Sequence, residues 1–319
     1  MEDNMSFKFD GLDNNVPGTD DTTIPTGVDT PSIATDDSAS EENVPRPATD
    51  PSSITVRVGD STAPIILLFG APSSGKTMTL VRLARYLRSK GYSISVDPQF
   101  VTKKVWEYEE NSAKFNKMLG TTKALKGTGR NDFLFIRVCD KFGTLKCQIL
   151  EGAGEDYFPS SGDNRAQLPF PSYMTGIFNT SNKKIWMFLT EPDWKVELDD
   201  RDEYVQRIAY CKSQFFHPKR DKSIILYNKI DSKPEFLGGP GVVHIKNAKK
   251  YCNNEYSGLF QIFKNPSPWP LAKEYLCEFV PFSTGTYGES KPNTDAHYDL
   301  SHDSYPAKLW SVIQDCIKG

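Results

Sequence analysis

The stretch "IILLFGAPSSGKTMTL" (Ile65–Leu80) decides the fold. Ile65 to Phe69 is an uninterrupted apolar run and reads as a buried strand. Gly70-Ala71-Pro72-Ser73-Ser74-Gly75-Lys76-Thr77 then fits the spacing G-x-x-x-x-G-K-[ST]. A helical pattern follows at once. Met78, Leu80, Val81, Ala84 and Leu87 form its apolar stripe, Arg82, Arg85 and Arg88 its polar side, and Gly91 its stop. A glycine-rich loop between a strand and a helix is a phosphate cradle. The glycines let the backbone turn where a Cβ would clash, and successive N–H groups then converge into an anion nest. The helix adds its positive N-terminal end. Lys76 is expected to reach terminal phosphates, and the Thr77 hydroxyl to ligate Mg²⁺.

Working outward, more apolar runs of strand length appear. "YSISVDP" (Tyr92 to Pro98), "DFLFIRVCD" and "LKCQILEGAG" follow the loop, the last two joined by the short turn Lys141-Phe142-Gly143-Thr144. "KKIWMFLTEPD", "KSIILYNKID" and "CEFVPFSTG" read as buried strands. Helical patterns lie between several of them: Arg201 to Phe215, roughly Gly241 to Lys264, and Tyr305 to Ile317. This alternation predicts an α/β fold: a mostly parallel, Rossmann-like sheet with helices on both faces. Ligands of such sheets bind beyond the carboxyl ends of the strands.

Composition sets the boundaries. Of 319 residues, 38% are hydrophobic, and the first stretch explains part of that low value. Met1 to Ile54 carries twelve acidic and two basic residues, whereas the remainder is net +7. Without apolar periodicity, residues 1–53 are expected to be a disordered acidic tail ahead of one domain over 54–319. That domain carries insertions near 93–127 and 232–275. No run is long and apolar enough to span a membrane, and the N-terminus is not a secretory signal. Six cysteines without C-x-x-C spacing suggest reduced thiols in a cytoplasmic protein. His297 and His302 lie in "DAHYDLSHDSY", expected to be a solvated polar loop rather than a metal site.

Three motifs follow later strands. Glu151-Gly152-Ala153-Gly154-Glu155-Asp156 ends one, and an acid there can hold Mg²⁺ through water while the Gly154 N–H approaches a γ-phosphate. Asn228-Lys229-Ile230-Asp231 ends another. The Asp231 carboxylate can accept two N–H bonds from guanine N1 and N2, an arrangement adenine does not offer. Lys229 can lie over the base, and Asn228 can tie its loop to the phosphate loop. Ser283-Thr284-Gly285 ends a third, where backbone N–H groups could contact guanine O6.

The ordered set "GAPSSGKT", "EGAGED", "NKID" and "STG" resembles the P-loop GTPases of the small-GTPase type. The block "YMTGIFNTSNKKIWMFLTEPD" with "IILYNKID" is more narrowly similar to the prokaryotic double-GTPase families. The resemblance runs from about Pro64 to the C-terminus. It implies a P-loop NTPase sheet, GTP and Mg²⁺ binding, and a regulatory switch that relaxes on hydrolysis. Carried over by position, Gly70 to Thr77, Asn228, Lys229, Asp231 and Ser283 to Gly285 would hold the nucleotide. Thr77, Thr128 and Glu151 would hold the metal. Lys76, Thr128, Gly154 and Glu155 would serve hydrolysis.

The chain departs from that pattern in three places. The metal-site acid is Glu151 where most such GTPases have Asp. Glu155 stands where small GTPases often have Gln, and a carboxylate only accepts hydrogen bonds and repels the γ-phosphate, so slow hydrolysis is expected. The segment before "FLFIRV" is long. Thr128 in "KGTGRND" has the spacing of a switch threonine, with Thr121 and Thr122 as alternatives. Arg130 and Arg165 are candidate internal arginine fingers, each more simply read as a surface arginine. Basic and aromatic residues interleave over Lys103 to Lys126, but Glu107, Glu109 and Glu110 dilute the charge. An amphipathic surface helix is expected there, not a nucleic-acid site. A protein partner is expected at the switch or at the inserted segments. Three alternatives stay open: a nucleotide-binding interaction module with little hydrolysis, an ATP-using P-loop protein or small-molecule kinase, and a nucleic-acid-binding protein using the basic segment.

Overall fold

A computed structural model describes residues 49–120, 132–192, 198–267, 269, 272–287 and 298–319. In chain order its elements are β1 (Ile65–Phe69), α1 (Lys76–Ser89), β2 (Ser93–Val96), α2 (Trp106–Leu119), β3 (Leu134–Cys139), β4 (Leu145–Glu151) and α3 (Gly154–Tyr157). Then come α4 (Ser172–Phe178), β5 (Lys184–Thr190), α5 (Leu198–Phe215), β6 (Lys222–Tyr227), β7 (Leu237–Gly239), β8 (Val242–Val243) and α6 (Ile245–Glu255). The chain closes with β9 (Cys277–Pro281), β10 (Gly285–Tyr287), β11 (Tyr298–Leu300) and α7 (Ser304–Lys318).

Seven strands form one sheet in the order β2-β3-β4-β1-β5-β6-β9. The run β4-β1-β5-β6-β9 is parallel throughout, while β2 and β3 extend it as antiparallel neighbours. Every residue of β1 and β5 is buried. Side chains alternate between faces along a strand, so both faces of the central sheet are covered, as the apolar runs imply. The chain leaves β1 toward β4 on one side and later crosses to β5 on the other. That reversal opens a crevice above the carboxyl ends of β1 and its neighbours.

Register aligns the loops at that edge. Leu68 of β1 pairs with Glu151, and Phe69 pairs with Phe188 of β5. Thr190 pairs with Tyr227, and Tyr227 with Pro281. Glu151, Glu191, Asn228 and Ser283 therefore all emerge at one end of the sheet.

Several elements differ from the sequence reading. Arg82, expected on the polar side of α1, is buried at 2% exposure. Its guanidinium donates to Ser301 Oγ (3.1 Å), Ser301 O (2.6 Å) and Asp303 Oδ1 (2.7 Å). The expected polar loop around Asp299 is thus anchored: Tyr298–Leu300 is a strand paired with β10, and Ser301–Asp303 is held by α1. The helix expected over Gly241 to Lys264 is shorter. The glycines at 238–241 instead turn the β7–β8 hairpin, α6 follows, and a 3₁₀ turn spans Phe260–Phe263. Near the expected tail, Thr49 donates its N–H to Glu107 Oε1 (2.6 Å), and Ser172 Oγ donates to Ser52 O (3.1 Å). Residues 1–48 lie outside the described residues, as do Thr121, Thr122, Thr128, Arg130 and His297.

Candidate functional site

The loop after β1 is held open by backbone geometry. Gly75, at the start of α1, has φ +86°, and a Cβ there would sit 2.5 Å from Asn228 Nδ2. Ser73 has φ +61°, a left-handed conformation unusual for a non-glycine residue. Lys76 is buried, and its ammonium donates to Gly70 O (2.9 Å) and Ala71 O (3.0 Å). Burial lowers its pKa, while Glu151, Asp156 and Glu155 pull it back up. Beside it, Glu151 is also buried, and burial raises its carboxyl against the lowering effects of Thr77 and Lys76. The Thr77 hydroxyl donates to Glu151 Oε1.

The other motifs close on this loop. Gly154 lies against it so tightly that a Cβ would be 2.4 Å from Pro72 N. Asn228 Nδ2 donates to Ser74 O (3.0 Å), and Lys229 Nζ to Ser73 O (2.8 Å). Two buried polar atoms here, Ser74 Oγ and Asn228 Oδ1, have no hydrogen-bond partner among the described residues. Buried polar atoms are seldom left so, and both belong to residues of this loop or bonded to it. On the far side of Lys229, Asp231 lines a cavity of about 510 Å³ with Ser283 and Gly285. Its other walls include Gly239 and Gly241 from the β7–β8 hairpin, together with His302 and Tyr305. Ser283 Oγ accepts from the Gly285 N–H (3.1 Å), and Gly285 has φ +121° with no room for a Cβ against Asp299 O.

Two expected residues are occupied elsewhere. The Glu155 carboxylate accepts from the Ser160 N–H (2.8 Å). Arg165 is neither the surface arginine expected nor a free finger: it is buried in ion pairs with Asp200 and Glu203 of α5, over the Phe158 ring at 4.7 Å. His302 bonds Ser304, and among the described residues no cluster of three or more His, Cys, Asp or Glu could hold a metal ion. Sequence reasoning missed Glu191, which follows β5 and pairs with Lys229. An acid ending a buried strand at the same sheet edge as Glu151 was its available signal.

A parallel sheet whose first strand runs through a lysine-bearing glycine loop into a helix, with an acid closing the adjacent strand, defines a fold of the P-loop NTPase type. No protein-family model matches the chain, and no curated protein matches its sequence. Among solved structures it is similar to the Saccharomyces cerevisiae Ski7 GTPase-like domain, bound to GTP, at 12% identity and a TM-score of 0.38. That likeness covers 81% of this chain, which spans about half (50%) of the Ski7 chain. The narrower likeness to double-GTPase families has no counterpart in these comparisons. No helix among the described residues is long and apolar enough to cross a membrane.

Proposed function

We propose that this chain binds GTP with Mg²⁺, hydrolyses it slowly and acts as a regulatory switch. One observation carries the reading. Asp231 lines a cavity with the Ser283–Gly285 turn, while its neighbours Asn228 and Lys229 are bonded directly to the phosphate loop. Those bonds support reading Asp231 as a base reader tied to a phosphate cradle. Phosphate oxygens would replace Gly70 O and Ala71 O as acceptors for Lys76, and the Ser74 hydroxyl would gain a partner. Thr77 and Glu151 present the hard oxygen donors Mg²⁺ favours, one carboxylate beside phosphate being its usual protein complement. The ion would supply charge neutralisation at the phosphates. Gly154, pressed on Pro72, places its backbone at the edge of the cradle. Thr128 completes this proposal from outside the described residues. The six free cysteines accord with a reducing, cytoplasmic setting.

Equilibrium competition of GTP against ATP, with Mg²⁺, tests the reading in wild type and Asp231→Ala. A preference for GTP that collapses in the variant is expected; equal affinities would overturn the guanine assignment. A second reading, a binding module with little turnover, is favoured by Glu155, whose carboxylate is engaged at Ser160. Multiple-turnover phosphate release separates the two. If Glu155→Gln releases phosphate more slowly than wild type, Glu155 takes part in hydrolysis.

A further inference from the structure

We propose that Glu191 is a positioning residue for the base site, seated by Tyr256 and acting through Lys229. The proposal rests on the GTP reading above. Glu191 directly follows β5, and its carboxylate pairs with Lys229 Nζ. The acid's side chain is 10% exposed and the lysine's 41%, so the acid is the fixed partner and the lysine the one open to a ligand. Lys229 Nζ also donates to Ser73 O at 2.8 Å. The Lys229 stem therefore runs to the loop after β1 from the NKID turn, two residues before Asp231, which lines the cavity. Lys229 (φ +54°) and Ser73 (φ +61°) are two of the three non-glycine residues with positive φ among the described residues. Such conformations persist where surrounding contacts over-determine them.

Glu191 is itself held from outside the site. Its N–H donates to Tyr256 Oη (3.0 Å), and the Tyr256 hydroxyl donates to Glu191 O (2.8 Å). Tyr256 is fully buried and follows α6. Arg201 of α5 lies 5.8 Å from its ring centroid and pairs with Glu255. The inserted segment thus fixes the backbone of Glu191 at both of its polar groups. A lysine stem has four rotatable bonds, and its apolar length can cover the flat face of a purine only if its end is pinned. With Glu191 absent, one carbonyl is left to pin it.

The test compares GTP with inorganic tripolyphosphate, both with Mg²⁺, because only GTP has a base to cover. Glu191→Ala is expected to lower GTP affinity about tenfold, near 1.4 kcal/mol, and to leave tripolyphosphate affinity unchanged. Tyr256→Phe should act in the same direction by about threefold. Once Lys229 is Met, adding Glu191→Ala should cost less than about twofold more, because the two act as a unit. If Glu191→Ala misfolds, Glu191→Gln carries the same comparison with a smaller loss. Parallel loss of GTP and tripolyphosphate, additive losses in the double variant, or an unchanged GTP affinity would each overturn the role. A wild-type protein that binds GTP no better than tripolyphosphate would instead remove the GTP reading, and this role with it.

Discussion

Two buried lysines sit at opposite ends of adjacent strands, and each is held by two backbone carbonyls. Lys76, beyond the carboxyl end of β1, donates to Gly70 O and Ala71 O. Lys184, at the amino end of β5, donates to Thr180 O and Asn182 O at 2.7 and 2.8 Å. Burial lowers the pKa of both. Their surroundings separate them. Around Lys76 the backbone takes left-handed turns at Ser73 and Gly75, polar atoms of Ser74 and Asn228 lack partners, and Glu151 lies close by. Around Lys184, Asn182 Oδ1 likewise lacks a partner, but no described residue from 165 to 228 has a positive φ. Asp221 accepts from the Lys184 N–H (3.0 Å), and Asn182 Nδ2 bonds Asp60 O and Ala63 O. Burial, carbonyl contacts and unpartnered polar atoms alone do not mark a site; strained backbone beside them does.

The largest expected effect follows directly. Lys76→Met should weaken GTP binding about a hundredfold, the loss of charged hydrogen bonds to phosphate, whereas Lys184→Met should leave it within about twofold. Titration of both variants by fluorescence competition checks this, and a matching loss at Lys184 would break the contrast. Next comes Gly154→Ala. A Cβ there meets Pro72 N at 2.4 Å, so the phosphate loop must shift and GTP affinity should fall about tenfold. Gly59→Ala, with open space around its Cβ position, is the matched control and should change nothing.

A third expectation concerns pH. Burial lowers Lys184 to about 8 in the folded chain, against 10.5 for the ordinary group. Between those values the unfolded chain binds the extra proton, so folding becomes more favourable as pH rises. Denaturant midpoints of wild type relative to Lys184→Met should increase from pH 7.5 to 10; a flat or falling difference would contradict the burial account. The smallest effect is expected at Arg82→Lys. An ammonium cannot reproduce the forked contacts to Ser301 and Asp303, so the segment lining the Asp231 cavity loosens. GTP affinity should fall about threefold while tripolyphosphate affinity holds.

What the sequence revealed follows from how local each signal is. The phosphate loop was legible because eight consecutive residues carry it between two periodic patterns. The core strands were legible because each is an apolar run, but their order in the sheet was not, since an apolar run does not say which strand it pairs with. The burial of Arg82 is not legible, because a charge normally signals exposure and its partners Ser301 and Asp303 lie more than 200 residues away. The segment after Asp299 read as loop for the same reason, since only Arg82 and the pairing of β10 with β11 give it a place. Glu155 matched a motif position, yet local geometry turned its carboxylate to Ser160. Glu191 belongs to no motif, and its role exists only where the ends of β5 and β6 meet Tyr256.

Asp231 offers the most direct measurement. Replacing its carboxylate with the amide in Asp231→Asn exchanges an acceptor for a donor. Guanine, with N–H groups at N1 and N2, then loses a partner, while xanthine, with a carbonyl at C2, gains one. Affinities of the wild type and Asp231→Asn for GTP and xanthosine triphosphate should therefore cross: GTP tighter in the wild type, xanthosine triphosphate tighter in the variant. Parallel affinities in both proteins would mean that Asp231 does not face a purine, and the proposed reading of this site would fall.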